Sequence, residues 1–135
     1  MATLPLPDDV KVLLTKPNPA VMATLRKDGQ PVSVATWYLF EDDKILLNMD
    51  ESRVRLSHLR RDPRVSLTVL KEGAWYTHVS VQGRVVELSA DEGLVDIDRL
   101  STHYTGKPYS SRTNARLSAW VEIETWHGWG ATRQS

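Results

Sequence analysis

Hairpin turn signals divide this chain into short strand-like segments, and that spacing restricts it to a mainly antiparallel β fold. The runs AVMATLR, VSVATWYLF and KILLNM are separated by the turns KDGQ and EDDK, and RVSLTVL is followed by the turn KEGA. Apolar and β-branched runs that end at Gly or Asp clusters are typical of strands joined by hairpins. Connections this short join antiparallel neighbours, because parallel strands need a long crossover.

Two later segments complete six predicted strands. A long strand is predicted from Trp75 to Leu88, with a bulge or bend at Gly83, because a glycine inside a strand marks irregular pairing. The segment RLSAWVEIETW alternates apolar and polar residues and predicts the last strand. Because VSVATWYLF is apolar on both faces, we expect one face to fill a barrel and the other to be covered by a further element or a second subunit.

Two segments show helical periodicity outside the arginine-rich region. LPDDVKVLLTK places Val10, Leu13 and Leu14 on one face. SADEGLVDIDRLSTHY begins with Ser89 and Glu92 in capping-box spacing and continues with an apolar stripe, which predicts a helix that starts at Ser89. The whole pattern predicts one domain over residues 1–135, an antiparallel β-barrel with flanking α-helices.

Composition excludes several classes of function. Seventeen basic residues balance seventeen acidic ones, so no overall field attracts nucleic acid or anionic lipid. The chain has no cysteine, which excludes disulfides and thiolate metal sites, and its four histidines lack ligand spacing. No apolar run approaches membrane-spanning length and no signal-peptide pattern opens the chain, so we expect a cytoplasmic protein that binds neither membranes nor metals.

The segment ESRVRLSHLRRDPR places two arginines where a helix should begin. With Ser52 as the predicted N-cap, Arg53 and Arg55 occupy the first and third helical positions, and Leu56 and Leu59 face the core. The N-terminus of a helix already carries partial positive charge, so cations are unfavourable there. An anion held by free N–H groups and the arginines would reverse that penalty. A solvated basic surface, balanced by nearby carboxylates, remains the alternative.

The sequence ILLNMDESRVRLSHLRRDPRVSLTV resembles the central motif of the pyridoxamine 5'-phosphate oxidase-like split barrels. Within that family it is most similar to the flavin and deazaflavin oxidoreductases, whose helix often reads LRRDPRV. The resemblance implies a split β-barrel homodimer with a flavin-type cofactor in each of two clefts at the subunit interface. The ending WHGWGATRQS lacks the arginine-rich motif that binds the pyridoxine substrate of the true oxidase, so vitamin synthesis is not expected.

The resemblance also implies which residues contact the cofactor. Ser52, Arg53 and Arg55 would hold its phosphate, and outer cations such as Arg60, Lys107 and Arg112 would meet the longer anionic tail of the deazaflavin coenzyme F420. The predicted cofactor-binding residues are Thr36, Trp37, Tyr38, Asn48, Met49, Ser52, Arg53, Val54, Arg55, Arg60, Tyr109, Arg112, Trp126 and Trp129. For the aromatic residues, packing in the barrel core is the alternative.

These observations predict a small F420-dependent reductase that transfers hydride to an unsaturated small-molecule acceptor, with FMN as the alternative cofactor. Because the cofactor would supply the hydride, the protein needs mainly to position two flat molecules and exclude water. No catalytic side chain is predicted, and a proton would come from solvent or from a tyrosine such as Tyr104. The rival hypothesis is a non-catalytic split barrel that binds a flavin, a deazaflavin or haem.

Overall fold

The computed structural model describes residues 2–132, which form eight strands and three α-helices. Two single 3-10 turns, Glu92–Leu94 and Gly130–Thr132, accompany them. The elements are β1 (Ala2–Thr3), α1 (Asp8–Thr15), β2 (Ala20–Leu25), β3 (Pro31–Thr36), β4 (Leu39–Glu41), β5 (Lys44–Asp50), α2 (Val54–Arg61), β6 (Arg64–Leu70), β7 (His78–Ala90), α3 (Val95–Thr105) and β8 (Arg116–Trp129).

All strands join one antiparallel sheet in the order β3-β2-β6-β7-β8-β5-β4, and β1 pairs with β8. The sheet does not close, because β3 and β4 remain as its two edges. These edges are consecutive in the chain and are joined by Trp37 and Tyr38 alone. The predicted mainly β, antiparallel split barrel with flanking helices is confirmed.

The run VSVATWYLF is therefore two strands, and its prediction as a single strand was wrong. The break has a physical cause in Tyr38, which is fully buried and whose hydroxyl donates to the carbonyls of Leu14 (2.8 Å) and Lys16 (3.3 Å). Those contacts turn the chain inward, toward the end of α1. Alternation of apolar residues could not reveal the break, because Tyr38 and its neighbours are as apolar as strand residues.

The hydrophobic core lies between the sheet and the first two helices. Val10, Leu13 and Leu14 of α1 are buried, as predicted, and so are Leu56 and Leu59 of α2. They pack with inward residues of the central strands in one cluster that includes Met22, Leu47, Val69, Val79 and Ile123. No helix within residues 2–132 is long and apolar enough to cross a membrane.

The predicted irregularity at Gly83 is confirmed, since the register between β7 and β8 shifts between Gln82 and Gly83. A Cβ on Gly83 would lie 2.0 Å from the backbone oxygen of Glu122, so only glycine allows this approach. A second shift lies between Val85 and Glu87. The strand itself begins at His78 rather than at Trp75, because residues 71–77 form hydrogen-bonded turns.

The two predicted N-caps were wrong. In α2 the N-cap is Arg53, and the Ser52 hydroxyl instead donates to Asp50 Oδ1 (2.7 Å), so Arg55 occupies the second helical position. Ser89 lies on β7, which extends to Ala90. The carboxylate of Asp91 accepts hydrogen bonds from the backbone N–H groups of Asp96 and Ile97 (both 2.9 Å) at the start of α3. A carboxylate two residues after the expected cap thus takes over its function.

Candidate functional site

A cavity of about 600 Å³ opens where the end of β3 meets β5, α2 and α3. Five of the predicted site residues line it, namely Thr36, Trp37, Asn48, Arg55 and Tyr109. The remaining lining residues are Pro17, Pro19, Ala20, Ala35, Glu72, Ile97, Leu100, Tyr104 and Arg116. A volume of this size is typical of small-molecule sites.

One wall of the cavity is aromatic. The rings of Trp37 and Tyr104 are stacked, with centroids 5.4 Å apart and planes 14° apart, and Tyr109 meets Trp37 edge-on at 6.2 Å. The Tyr104 hydroxyl donates to the Asn18 carbonyl (2.7 Å), which fixes the ring, and burial raises the pKa of Tyr104 to about 12. A rigid wall of flat rings suits a planar, partly apolar ligand.

A positive charge also lines the cavity, on Arg55, which the second position of α2 directs toward it. Within residues 2–132, its Nε is the only buried side-chain nitrogen or oxygen without a hydrogen-bond partner. Burial lowers the pKa of Arg55, and the nearby charges of Arg53 and Arg116 lower it further. Leaving a buried donor unsatisfied is unfavourable by roughly 1–3 kcal/mol, and by more for a charged group. This cation lacks an anion.

A second arginine, Arg116, lies at the start of β8 and also lines the cavity. Its Nε donates to Asn48 Oδ1 (2.7 Å), and its guanidinium lies 4.9 Å from the centre of the Tyr109 ring. Among residues 2–132, neither Arg55 nor Arg116 forms an ion pair with a carboxylate. Two cations thus line the cavity without an ion-pair partner in that range, and Glu72 is the one carboxylate residue among the described lining residues.

The residues around the start of α2 lie beside the cavity rather than in its lining. The N–H of Ser52 donates to Asp50 Oδ1 (2.8 Å) together with the hydroxyl, and these two bonds lower the pKa of Asp50. Arg53 and Val54 are exposed. The first N–H groups of a helix have no intrahelical partner, so this end of α2 offers further donors to an anion.

The other predicted site residues lie elsewhere. Tyr38, Met49 and Trp126 are buried in the core, and the Trp126 indole N–H donates to the carbonyl of Thr3 (3.2 Å). Arg60 is exposed at the end of α2, and Arg112 binds the carboxylate of Asp98 (2.6 Å). Trp129 lies against Tyr76 and His127 and does not line the cavity.

Sequence reasoning missed Arg116 and the apolar pair Ile97 and Leu100. Arg116 opens an ordinary alternating strand, and no local pattern separates it from a surface cation. Ile97 and Leu100 were assigned to the apolar stripe of a helix, which is correct, but the stripe also faces the cavity. Only the strand pairing of Asp50 with Arg116 brings this arginine to the start of α2.

Comparison with known proteins places this geometry in a family. A family model described as pyridoxamine 5'-phosphate oxidase matches residues 6–130. The chain belongs to that family. The predicted membership is thereby confirmed, and the fold of the chain is one that flavin-type oxidoreductases have.

Solved structures share the fold over almost the whole chain. An F420 reductase matches with a TM-score of 0.83 and 21% sequence identity, over 90% of this chain and 98% of that one. A conserved hypothetical protein from Mycobacterium tuberculosis matches with a TM-score of 0.71 and 25% identity, over 94% and 86%. HupZ from Group A Streptococcus matches with a TM-score of 0.69 and 12% identity, over 97% and 99%. At such identities the likeness is one of fold.

Proposed function

We propose that this member of the pyridoxamine 5'-phosphate oxidase family is an oxidoreductase that binds the deazaflavin coenzyme F420 in the 600 Å³ cavity. It would transfer hydride between the coenzyme and an unsaturated small-molecule acceptor. The observation that carries the proposal is the buried Nε of Arg55, which has no hydrogen-bond partner among the described residues, beside a second arginine without an ion pair and an aromatic wall. The similarity to an F420 reductase supports the choice of cofactor.

The residues present fit an anionic, flat cofactor. Arg55 offers a charge-assisted donor to a phosphate, and Arg53, Val54 and the free N–H groups at the start of α2 would complete the cradle. Ser52 would join them only by giving up its hydrogen bonds to Asp50. The stacked pair of Trp37 and Tyr104 would pack against a planar ring system. Once bound, the coenzyme supplies hydride-transfer chemistry.

The protein itself would position the coenzyme and the acceptor and keep water out of the cavity. Ile97 and Leu100 present apolar side chains to the cavity and exclude water from the face where an acceptor would lie. The Tyr104 hydroxyl is already committed to the Asn18 carbonyl, and its raised pKa makes it a poor acid. We infer that the proton required by a reduced acceptor comes from solvent.

We also propose that the protein is a homodimer, each subunit a single domain over residues 1–135. Val32 and Val34 pair with Thr24 and Met22 and share their inward face, yet each valine is 37% exposed because β3 is an edge strand. A second subunit would cover this apolar strip. Arg60, Arg112 and Trp129 lie outside the cavity lining, so cofactor contacts from them would require the longer tail of F420 or the partner subunit. Trp126 is buried in the core and is not available to either.

FMN is the second candidate cofactor, because the family takes its description from an oxidase of pyridoxamine 5'-phosphate. A titration of the purified protein with F420 and with FMN, followed by absorbance at fixed ionic strength, distinguishes them. We expect tighter binding of F420, and clearly tighter binding of FMN would overturn the assignment. Steady-state oxidation of reduced F420 by a panel of unsaturated acceptors then tests catalysis. Binding without turnover would identify a non-catalytic binding module.

A further inference from the structure

We propose that Asn48 is a positioning residue that directs Arg116 at the cavity, so that Arg55 and Arg116 form a two-arginine clamp for an anion. The inference deepens the proposed function, on which it rests for the identity of the anion. Asn48 is among the cofactor-binding residues predicted from the sequence, whereas Arg116 was not singled out there.

The hydrogen bonds of Asn48 fix which way its amide points. Its Nδ2 donates to Asp91 Oδ2 (3.0 Å) and to Ser118 Oγ (3.1 Å), and both are acceptors at that point. The Ser118 hydroxyl uses its hydrogen in a hydrogen bond to Asp96 Oδ2 (2.7 Å), so its oxygen can only accept from Asn48. The amide oxygen must therefore face the other way, toward Arg116.

That oxygen holds Arg116 by its inner nitrogen. Arg116 Nε donates to Asn48 Oδ1 (2.7 Å), and the Tyr109 ring supports the guanidinium at 4.9 Å. The terminal nitrogens make no hydrogen bond to any residue that the structure describes. An arginine bound at Nε alone keeps its outer edge free for a bidentate contact with an oxyanion.

The neighbouring acid forms no ion pair with this arginine, although the charge of Arg116 contributes to lowering the pKa of Asp50. Asp50 is the strand partner of Arg116, but its carboxylate is occupied by the Ser52 N–H and hydroxyl on one oxygen and by Asn114 Nδ2 (2.8 Å) on the other. Among the described residues Arg55 likewise has no acidic partner, and its buried Nε has no hydrogen-bond acceptor. Burial lowers the pKa of Arg55, and the charges of Arg53 and Arg116 lower it further, as expected of a site arranged for negative charge.

The test uses sulfate, a small dianion, and needs no flavin. Sulfate is titrated against chloride at constant ionic strength and binding is followed by tryptophan fluorescence, for the wild-type protein and for the Asn48→Leu, Arg116→Met and doubly substituted variants. Arg84→Met is the matched control, because Arg84 is exposed, pairs with Glu124 (3.2 Å) and does not line the cavity. Circular dichroism and thermal unfolding establish that each variant is folded.

We expect Arg116→Met and Asn48→Leu each to weaken sulfate binding by about ten- to a hundredfold. Because Asn48 acts through Arg116, the double variant should bind within about twofold of Arg116→Met alone. Arg84→Met should leave the dissociation constant unchanged. If Asn48→Leu does not fold, Ser118→Ala replaces it, with a smaller loss that should vanish in the Arg116→Met background.

Three results would overturn the inference: no saturable sulfate binding to the wild-type protein, undiminished binding by Asn48→Leu, or losses that multiply in the double variant. The last result would mean that Asn48 supports the cavity independently of Arg116. A protein that binds sulfate through the clamp but binds neither F420 nor FMN would refute the proposed function and leave this inference intact.

Discussion

Replacing Arg55 should weaken cofactor binding without lowering the stability of the empty protein. Replacing it with Ala removes a charge-assisted contact of roughly 1.5–3 kcal/mol, so the affinity for F420 should fall about ten- to a hundredfold. The empty protein should be as stable as before or slightly more stable, because the substitution removes an unpaired buried donor and a cation at the positive end of α2. Calorimetric titration with F420 and thermal unfolding without cofactor measure the two effects.

Arg61 provides the matched control on the same helix. It lies in the last turn, where positive charge complements the dipole, and its Nη2 donates to the carbonyl of Leu25 (3.3 Å). Arg61→Ala should therefore lose a little stability and no affinity. Equal F420 affinity in the wild-type protein and Arg55→Ala would instead make the arginines a solvated basic surface.

The burial of Tyr104 should make the free energy of unfolding depend on pH in the alkaline range. Its pKa is raised from 10.0 to about 12 by burial, so the folded state holds the proton more tightly than the unfolded state. The contribution of Tyr104 to the free energy of unfolding should be constant below pH 10 and fall as the pH rises from 10 to 12. Urea denaturation across this range should show a shallower decline for Tyr104→Phe, whereas Tyr76→Phe, at an exposed ring, should match the wild-type slope.

At the scale of elements, the start of α3 depends on Asp91. Its carboxylate caps two backbone N–H groups and also accepts from Asn48. Asp91→Ala should lower the free energy of unfolding by about 1–2 kcal/mol, in the range of lost N-caps. Ser89→Ala should change it by less than about 0.5 kcal/mol, because Ser89 is exposed on β7. Urea denaturation of both variants is the measurement. A larger loss for Ser89→Ala than for Asp91→Ala would support the predicted capping box of Ser89 and Glu92 instead.

Sequence patterns predicted elements well where a single physical signal dominated. The apolar face of α1, the hairpin turns and the bend at Gly83 each follow from local periodicity or from a residue with special backbone freedom. Arg55 could be found because a cation at a helix N-terminus is locally unfavourable. Arg116 could not, since its importance arises only from its pairing with Asp50 across 66 positions of sequence (116 − 50). The break at Trp37 and Tyr38 was missed for the same reason, because Tyr38 is fixed by carbonyls of α1.

At the scale of the whole molecule, the open edge at β3 predicts a dimer. We expect light scattering at micromolar concentration to give twice the 15.3 kDa mass of the chain. Val34→Lys should shift the protein toward monomer, because a charge on the exposed apolar strip would be buried by a partner. Val95→Lys, at an exposed position on α3, serves as the control. A wild-type monomer with full F420 affinity would refute the dimer.

The central position of β8 has a consequence for how the protein is made. This strand pairs with β1, β5 and β7 and supplies Arg116. Until synthesis has reached Trp129, β5 and β7 lack their shared neighbour, and the two arginines cannot meet. A nascent chain on the ribosome therefore exposes unpaired strand edges and has no anion site until β8 has been made. Cofactor present during translation can stabilise only chains in which β8 has folded, so it should raise the yield of folded protein without rescuing chains that stall before β8.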